Sequence, residues 1–548
     1  MTEKNNRWIW AILIIIVILI LGIRYKPLGY KIQHDYPSYV GSADANSRVG
    51  EADYFAQSGQ SFHINPWYDD QNRDYIVAPE PPLAGTLAAM LTAFSGVGAY
   101  DTLFFVQVMT SIGVALCFFI IFWKLFDNAY LGLISAAILA YPVEAIYNYH
   151  YQLGLYPHFS QLALLALTLL FTIMFYEHKN IESIYGIALT WVCAFYYHAT
   201  VPVVMSLFIG IVMLYMLIKK EIKFKPIFVL GACVIICILP FVPIFVSNWL
   251  LGDHNKVTDL FVAGSILSNR DAGNTVQMTN FVNIWHYIFL IIGIISCYFV
   301  LKDKKYKMIG WFFLFFFAMM MLTPYLGLYH NQLYDKPKHI FFAFAYPIIA
   351  VGIYVALIFV RDAAKMEKSK IMMLAIILLI LFQVFALTKI PSAAGSLLTK
   401  NTYDGYSWAK DNIPENKSML CFGCIQFEGV YTHHPTSLPS YEVDNSVVPQ
   451  LLDLAQNNDT QGIIKTAMMG HPDKRVYFDG LSVKQYGPRD EKNQSVCKFD
   501  YFIFKGLGDL TPYISNIGQK IVSKGGQVIY SNNEMLIVQN NKVGGECI

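Results

Sequence analysis

What most constrains this chain is a succession of long apolar runs whose connecting loops are rich in lysine every second time. The run Trp8–Ile23 leads into a polar, acidic stretch, Arg24–Pro82, and about ten further apolar runs follow. Cations gather in alternate loops: Lys219, Lys220, Lys223 and Lys225; Lys302, Lys304, Lys305 and Lys307; Arg361, Lys365, Lys368 and Lys370. Lys and Arg are retained on the cytoplasmic side of a membrane, so this alternation orients the chain. It puts the N-terminus inside, and puts Arg24–Pro82 and everything after Thr388 outside.

The 548 residues are 55% hydrophobic with mean hydropathy +0.42, which belongs to an integral membrane protein. The expected fold is a polytopic α-helical membrane protein of about eleven transmembrane helices with a C-terminal exported α/β domain. The runs are 8–23, 102–123, 129–146, 159–176, 183–198, 201–218, 227–247, 284–301, 309–328, 340–360 and 371–388. Most approach the ~17–25 residues that cross the hydrocarbon. The first is preceded by Lys4 and Arg7 and lacks a small-residue cleavage site after it, so it reads as a retained anchor in the cell membrane. Leu83–Gly96 is apolar too. Counting it as a span would put Lys219–Lys225 outside, so it reads as a helix lying against the outer surface. The domains expected are 1–388, a transmembrane unit with a large outer loop over 24–100, and 389–548, an extracytoplasmic soluble unit. A net charge of +2 says nothing about partners; no basic arm suggests nucleic acid, so none is expected, and the lipid bilayer is the expected surroundings.

From Lys389 the composition is that of a soluble domain. Helical stretches at Tyr403–Asp411, Val447–Gln456, Gln461–Met469 and Pro512–Lys520 alternate with strands at Ser418–Phe422, Arg475–Phe478, Phe499–Phe504, Gln527–Tyr530 and Met535–Gln539. Asn416, Asn458 and Asn493 open Asn-x-Ser/Thr sequons there, which agrees with an outside location. Cys117, Cys193, Cys233, Cys237 and Cys297 fall in the spans as small packing residues. The other four, Cys421, Cys424, Cys497 and Cys547, lie in the exported tail. An even number outside the cell favours two disulfides, with three pairings possible. A zinc site of Cys421, Cys424, His433 and His434 is the competing reading.

The first outer loop is acidic and tethered at both ends to membrane elements. Carboxylates in that position suit a general base for an attacking hydroxyl, or a ligand for a divalent metal beside a phosphate. Asp69, Asp70 and Asp74 read as an ordinary solvated run. Asp35 sits in an aromatic-flanked turn, His34–Tyr39. Asp44 opens the stretch Asp44–Gly59, which also holds Glu51 and reads as an amphipathic helix with Asp44 near its start and Gly59 as its C-cap. The second outer loop, Tyr147–His158, holds four tyrosines with His150 and His158 and no formal charge, which suits a sugar ring as well as a membrane interface. The loop Tyr329–His339 carries Lys336, Lys338 and His339, cations fit to hold a lipid phosphate or to anchor at the interface. His198 ends the fifth run on the same outer face.

These pieces, in this order, resemble the GT-C class of membrane glycosyltransferases, which includes protein O-mannosyltransferases, aminoarabinose transferases and oligosaccharyltransferase catalytic subunits. The resemblance runs over most of the chain: an anchor, an acidic outer loop, the turn Pro81-Pro82-Leu83, many spans and an exported domain. Asp44–Gly59 looks like the first-loop Asp motif of the class, Gly154–His158 stands at the second outer motif, and Lys338-His339 stands where an Arg for the lipid phosphate is common. The resemblance implies Asp44 or Asp35 as base or metal ligand, and Glu51, Tyr156, His158, His198, Lys338 and His339 about the substrates. It implies a polyprenyl- or dolichyl-phosphate-linked sugar as donor and a glycan, lipid or protein as acceptor. A divalent metal ion is compatible, and no other cofactor is called for. Trp408–Pro414 is similar to the stretch before the Trp-Trp-Asp-Tyr-Gly signature of oligosaccharyltransferases, but Leu420-Cys421-Phe-Gly-Cys424 follows, and the second loop lacks an acidic pair. A monosaccharide transferase is therefore expected ahead of oligosaccharide transfer to Asn. A lipid-linked-sugar flippase or other secondary transporter is the alternative class. It would show two similar halves and charge at mid-membrane, where this chain shows neither. An inactive scaffold would keep the architecture alone.

Overall fold

The computed structural model describes residues 3–32, 43–59, 83–140, 156–197, 200–239, 284–301, 337–389, 398–415, 417–424, 428–434, 436–437, 499–506 and 525–541, with positions 36, 67, 310–311, 515, 518–519 and 521–523. Among them are thirteen α-helices and five strands. The helices are α1 (Glu3–Ile32), α2 (Ala43–Ser58), α3 (Leu83–Ser95), α4 (Ala99–Phe126), α5 (Ala129–Ala140), α6 (Tyr156–His178), α7 (Ile181–Tyr197), α8 (Thr200–Ile218), α9 (Lys225–Ile238), α10 (Ile284–Leu301), α11 (Pro337–Ala364), α12 (Lys368–Lys389) and α13 (Lys400–Asn412). The run 309–328 apart from 310–311, the loop lysines 302–307, strand 475–478, helices 447–456 and 461–469, Asp69, Asp70, Asp74 and all three sequon asparagines lie outside the described residues.

Over their described residues, ten of the eleven apolar runs are helical. By length and apolarity, α4 and the 345–364 part of α11 suffice to cross a membrane, and nine shorter apolar helices accompany them among the described residues. The interior is apolar and tight: Phe104, Phe118, Phe119 and Ile121 of α4 are fully buried. The outward surface is apolar as well. Phe228, Ile235 and Ile236 of α9 and Trp8 of α1 are well exposed, as lipid-facing side chains would be. Cys117 and Cys297 pack inside as the sequence implied, whereas Cys237 is exposed on that surface. A hydrogen bond between Thr168 and Thr190 (2.7 Å) joins α6 to α7.

Ion pairs fix the direction of the bundle. Lys124 near the end of α4 meets Glu177 near the end of α6 at 3.3 Å, and Lys179 meets Glu221 beyond the end of α8 at 3.1 Å. The C-terminal ends of α4, α6 and α8 therefore share one end of the bundle, together with Lys219–Lys225. Their N-terminal ends share the other. Asn128, in the turn after α4, hydrogen-bonds Tyr354 in the second half of α11, so α11 runs the same way as α4 and begins at that opposite end.

There α2 and α3 pack across the start of α4, around Val49, Ala52, Ala88, Ala89, Tyr100, Leu103 and Phe104. Thr92 and Thr102 tie α3 to α4 at 2.9 Å. Beyond α12, β1 (Met419–Phe422), β2 (Thr436–Ser437), β3 (Tyr501–Lys505), β4 (Gln527–Ser531) and β5 (Met535–Gln539) form a mixed sheet in the order β2-β1-β3-β5-β4. β1 is parallel to β2 and β3, and β5 is antiparallel to both β3 and β4. Thr399 caps α13 by accepting from the Thr402 amide, 3.2 Å. The helix buries Tyr406 and Ala409 against Met419, Ile503, Met535 and Ile537.

Candidate active site at the first-loop helix

The helix expected over Asp44–Gly59 is α2. Gly59 ends it with φ +64° and its amide on the Phe55 carbonyl, 3.0 Å, the left-handed cap that glycine adopts without strain. Asp44 lies in the first turn, one residue after the start. Positions 44, 48 and 51 follow helical spacing along one stripe, and positions 46, 53 and 57 follow it along another.

On the first stripe, Glu51 is buried (5% exposed), with both carboxylate oxygens on Arg48 at 2.9 and 3.2 Å. A substrate-facing Glu51 was the expectation. The structure instead shows a carboxylate closed inside the fold by its own helix neighbour. The second stripe faces the C-terminal domain. His433 Nε2 lies 2.9 Å from Asp53 Oδ2, and Tyr431 donates to Asn46 Oδ1 at 3.0 Å. Gln57 donates to the other Asp53 oxygen, 3.0 Å. Burial pushes the Asp53 pKa up and is the largest single influence. The His433 hydrogen bond and charge, the Gln57 amide and Lys410 together outweigh it and hold the carboxyl below its ordinary value.

Four site residues start helices rather than ending loops. Tyr156 and His158 belong to the first turn of α6, and Lys338 and His339 to the first turn of α11. Pro157 and Pro337 explain the shift: proline needs no amide partner in a first turn and has its φ already set for a helix. Both turns lie at the end of the bundle where α2 packs, by the helix directions above. Asp35 and His198 lie outside the described residues, and of the side chains of Asp44, Tyr156, His158, Lys338 and His339 only their place on the helices is described.

The donors that are described do not fit a divalent metal. No group of three His, Cys, Asp or Glu side chains converges among the described residues. Glu51 is paired with Arg48, and Asp53 is held by His433 and Gln57, so each is already engaged by donors. The zinc reading of the tail is overturned: Cys421 and Cys424 are bonded to each other, and His433 is engaged by Asp53. This bridge is one of the expected pairings, while Cys497 and Cys547 lie outside the described residues.

No protein-family model matches the chain, and no curated protein matches it in sequence. Solved structures do match. The apo oligosaccharyltransferase of Archaeoglobus fulgidus aligns with 99% of this chain and 76% of its own at TM-score 0.58 and 11% identity. The same organism's oligosaccharyltransferase AglB, in complex with an inhibitory peptide and a dolichol-phosphate, aligns at TM-score 0.55 and 10% identity over 99% and 75%. ArnT from Cupriavidus metallidurans, bound to undecaprenyl phosphate, covers 98% of both chains at TM-score 0.46 and 11% identity. The fold is GT-C-like. At such identities the likeness is one of fold.

Within this GT-C-like frame, sequence reasoning missed the residues that join α2 to the C-terminal domain. Trp67 stacks on His433, with ring centroids 4.0 Å apart and planes at 13°, and Tyr54 meets Trp67 edge-on at 5.2 Å. Tyr431 stacks on Tyr406, whose hydroxyl lies 3.0 Å from Cys424 Sγ. Asp53 stood unremarked in an acidic loop and His433 in a zinc pattern. Nothing local in the sequence pairs them.

Proposed function

We propose that this chain is a glycosyltransferase that moves a sugar from a polyprenyl- or dolichyl-phosphate carrier to an acceptor at the outer face of the membrane. The observation that carries the reading is the GT-C-like fold with Asp44 in the first turn of a helix packed where the bundle meets the C-terminal domain. The dolichol-phosphate in the AglB complex supports a lipid-phosphate donor. In this reading residues 1–388 are the transmembrane unit of eleven spans, and the 24–100 loop and residues 389–548 lie outside.

The chemistry asks little of the protein beyond placement and charge. Asp44 takes the proton of the acceptor hydroxyl as its oxygen bonds to the sugar C1. The C1–O bond to the carrier phosphate breaks, and the freed phosphate leaves with that electron pair. Lys338 and His339, at the start of α11, stabilise the developing phosphate charge, with Tyr156, His158 and His198 about the sugar. Oligosaccharide transfer to asparagine is the second reading, favoured by the AglB likeness. The Cys421–Cys424 bridge, standing where an acceptor reader would follow Trp408–Pro414, weighs against it.

The test is transfer of radiolabelled sugar from polyprenyl-phosphate donors by purified protein in liposomes. Asp44→Ala is expected to lower turnover ~10²–10⁴-fold without changing thermal stability. Loss confined to Asp35→Ala would move the base there. Absence of transfer from every donor, with the lipid-linked sugar scrambled across the bilayer, would overturn the reading in favour of a flippase.

A further inference from the structure

The seam between α2 and the C-terminal domain holds an ion pair that the transfer chemistry does not use. Asp53 and His433 are 380 residues apart in sequence and 2.9 Å apart in space. Each is held from behind: Asp53 by the Gln57 amide, His433 by its stack on Trp67. Two turns earlier on the same stripe, Asn46 accepts from Tyr431. His433 adopts φ +56°, in the left-handed region that side chains with a Cβ seldom occupy. Such backbone persists where its surroundings over-determine it, and it gathers at functional sites.

We propose that Asp53 and His433 form a latch that fixes helix α2 to the C-terminal domain, and that both are positioning residues for the Asp44 end of the helix. The rotation and sliding of α2 are set by its apolar packing together with its directional bonds to the C-terminal domain. The core contact is made by Val49 and Ala52 with Ala88, Ala89, Tyr100, Leu103 and Phe104, and apolar contact of this kind is not directional. A charge-assisted hydrogen bond is directional. Asp44 lies nine residues before Asp53 on one helix, about 13 Å at the α-helical rise, so a displacement at Asp53 is carried to it by the backbone. A reacting group misplaced by about 1 Å costs on the order of 10²-fold in rate. That this end of the helix is catalytic rests on the glycosyltransferase reading; the latch itself does not.

The test compares wild type, Asp53→Asn, His433→Asn and the exchange Asp53→His with His433→Asp. Asn and Asp both tolerate the left-handed backbone at position 433. The single variants are expected to lower kcat ~10–100-fold with KM for the lipid donor unchanged, and the exchange to recover most of it. Hydrogen exchange of the α2 amides is expected to speed up in the single variants and slow again in the exchange. Unchanged exchange in α2, or no recovery on swapping the pair, overturns the latch. Faster exchange with unchanged kcat overturns the positioning role. If wild type transfers no sugar, the amide protection still decides the latch while the functional reading falls.

Discussion

Replacing Gly352 with alanine should force α10 and α11 apart. The two helices cross at a pair of glycines. A Cβ on Gly352 would fall onto the carbonyl of Phe289, and one on Gly293 onto the carbonyl of Ile348, both inside the 3.0 Å below which real Cβ atoms essentially never approach. The obstacle is backbone on each side, so no rotamer change relieves it. The helices must separate by about 1 Å, and a gap of that size forfeits a quarter to a half of the dispersion energy across it. Overpacking of this kind costs ~1–3 kcal/mol, and the better helix propensity of alanine returns ~1 kcal/mol. The net expectation for Gly352→Ala or Gly293→Ala is a loss of up to ~2 kcal/mol. Gly210 and Gly231 are helical glycines with open space around the added methyl, so Gly210→Ala and Gly231→Ala serve as controls of opposite sign. Thermal unfolding of the four variants in detergent reads the difference. Gly352→Ala melting at or above wild type would refute the close crossing.

Arg48→Ala should strand the buried Glu51 carboxylate at a cost of ~3–5 kcal/mol, while Arg48→Met with Glu51→Met should be much milder; equal melting temperatures for the two would refute a closed internal pair. The Cys421–Cys424 bridge closes a four-residue loop, so Cys421→Ser with Cys424→Ser should lower stability by ~2 kcal/mol, and a reductant should shift the melting of wild type by more than that of the variant. Burial chiefly lowers the His434 pKa, with the charge of His433 adding to it and the Ala409 backbone and Glu415 opposing. The unfolded chain then takes up this proton more readily, so stability is level above the ordinary imidazole pKa of about 6.5 and declines as pH falls below it. His434→Phe should flatten that decline below about pH 6.5 in pH-dependent melting; parallel slopes would count against it.

Much of the architecture was legible because its signals are local. Each apolar run carries its own length and its own flanking charge, so ten of eleven coincide with helices among the described residues. The start of α2 near Asp44 and its end at Gly59 follow from residues within one turn of each boundary, as do β1, β4 and β5 between their polar neighbours. The errors at Tyr156 and Lys338 are local too, because a proline that looks like loop punctuation also opens helices. Glu51 is different. Its spacing from Arg48 was visible, but which stripe of α2 would be buried depends on where α3 and α4 lie.

The sequence by itself determined which segments are helices, which of them are apolar all round and which loops hold the cations. Hydrophobic run length and short-range backbone preferences act over a few residues and need no partner. Only the tertiary structure decided that Cys421 bonds Cys424 rather than zinc, that α10 and α11 meet glycine to glycine, and that Asp53 meets His433. These depend on distances between segments up to 380 residues apart, and no pattern within either segment encodes the other's place in space.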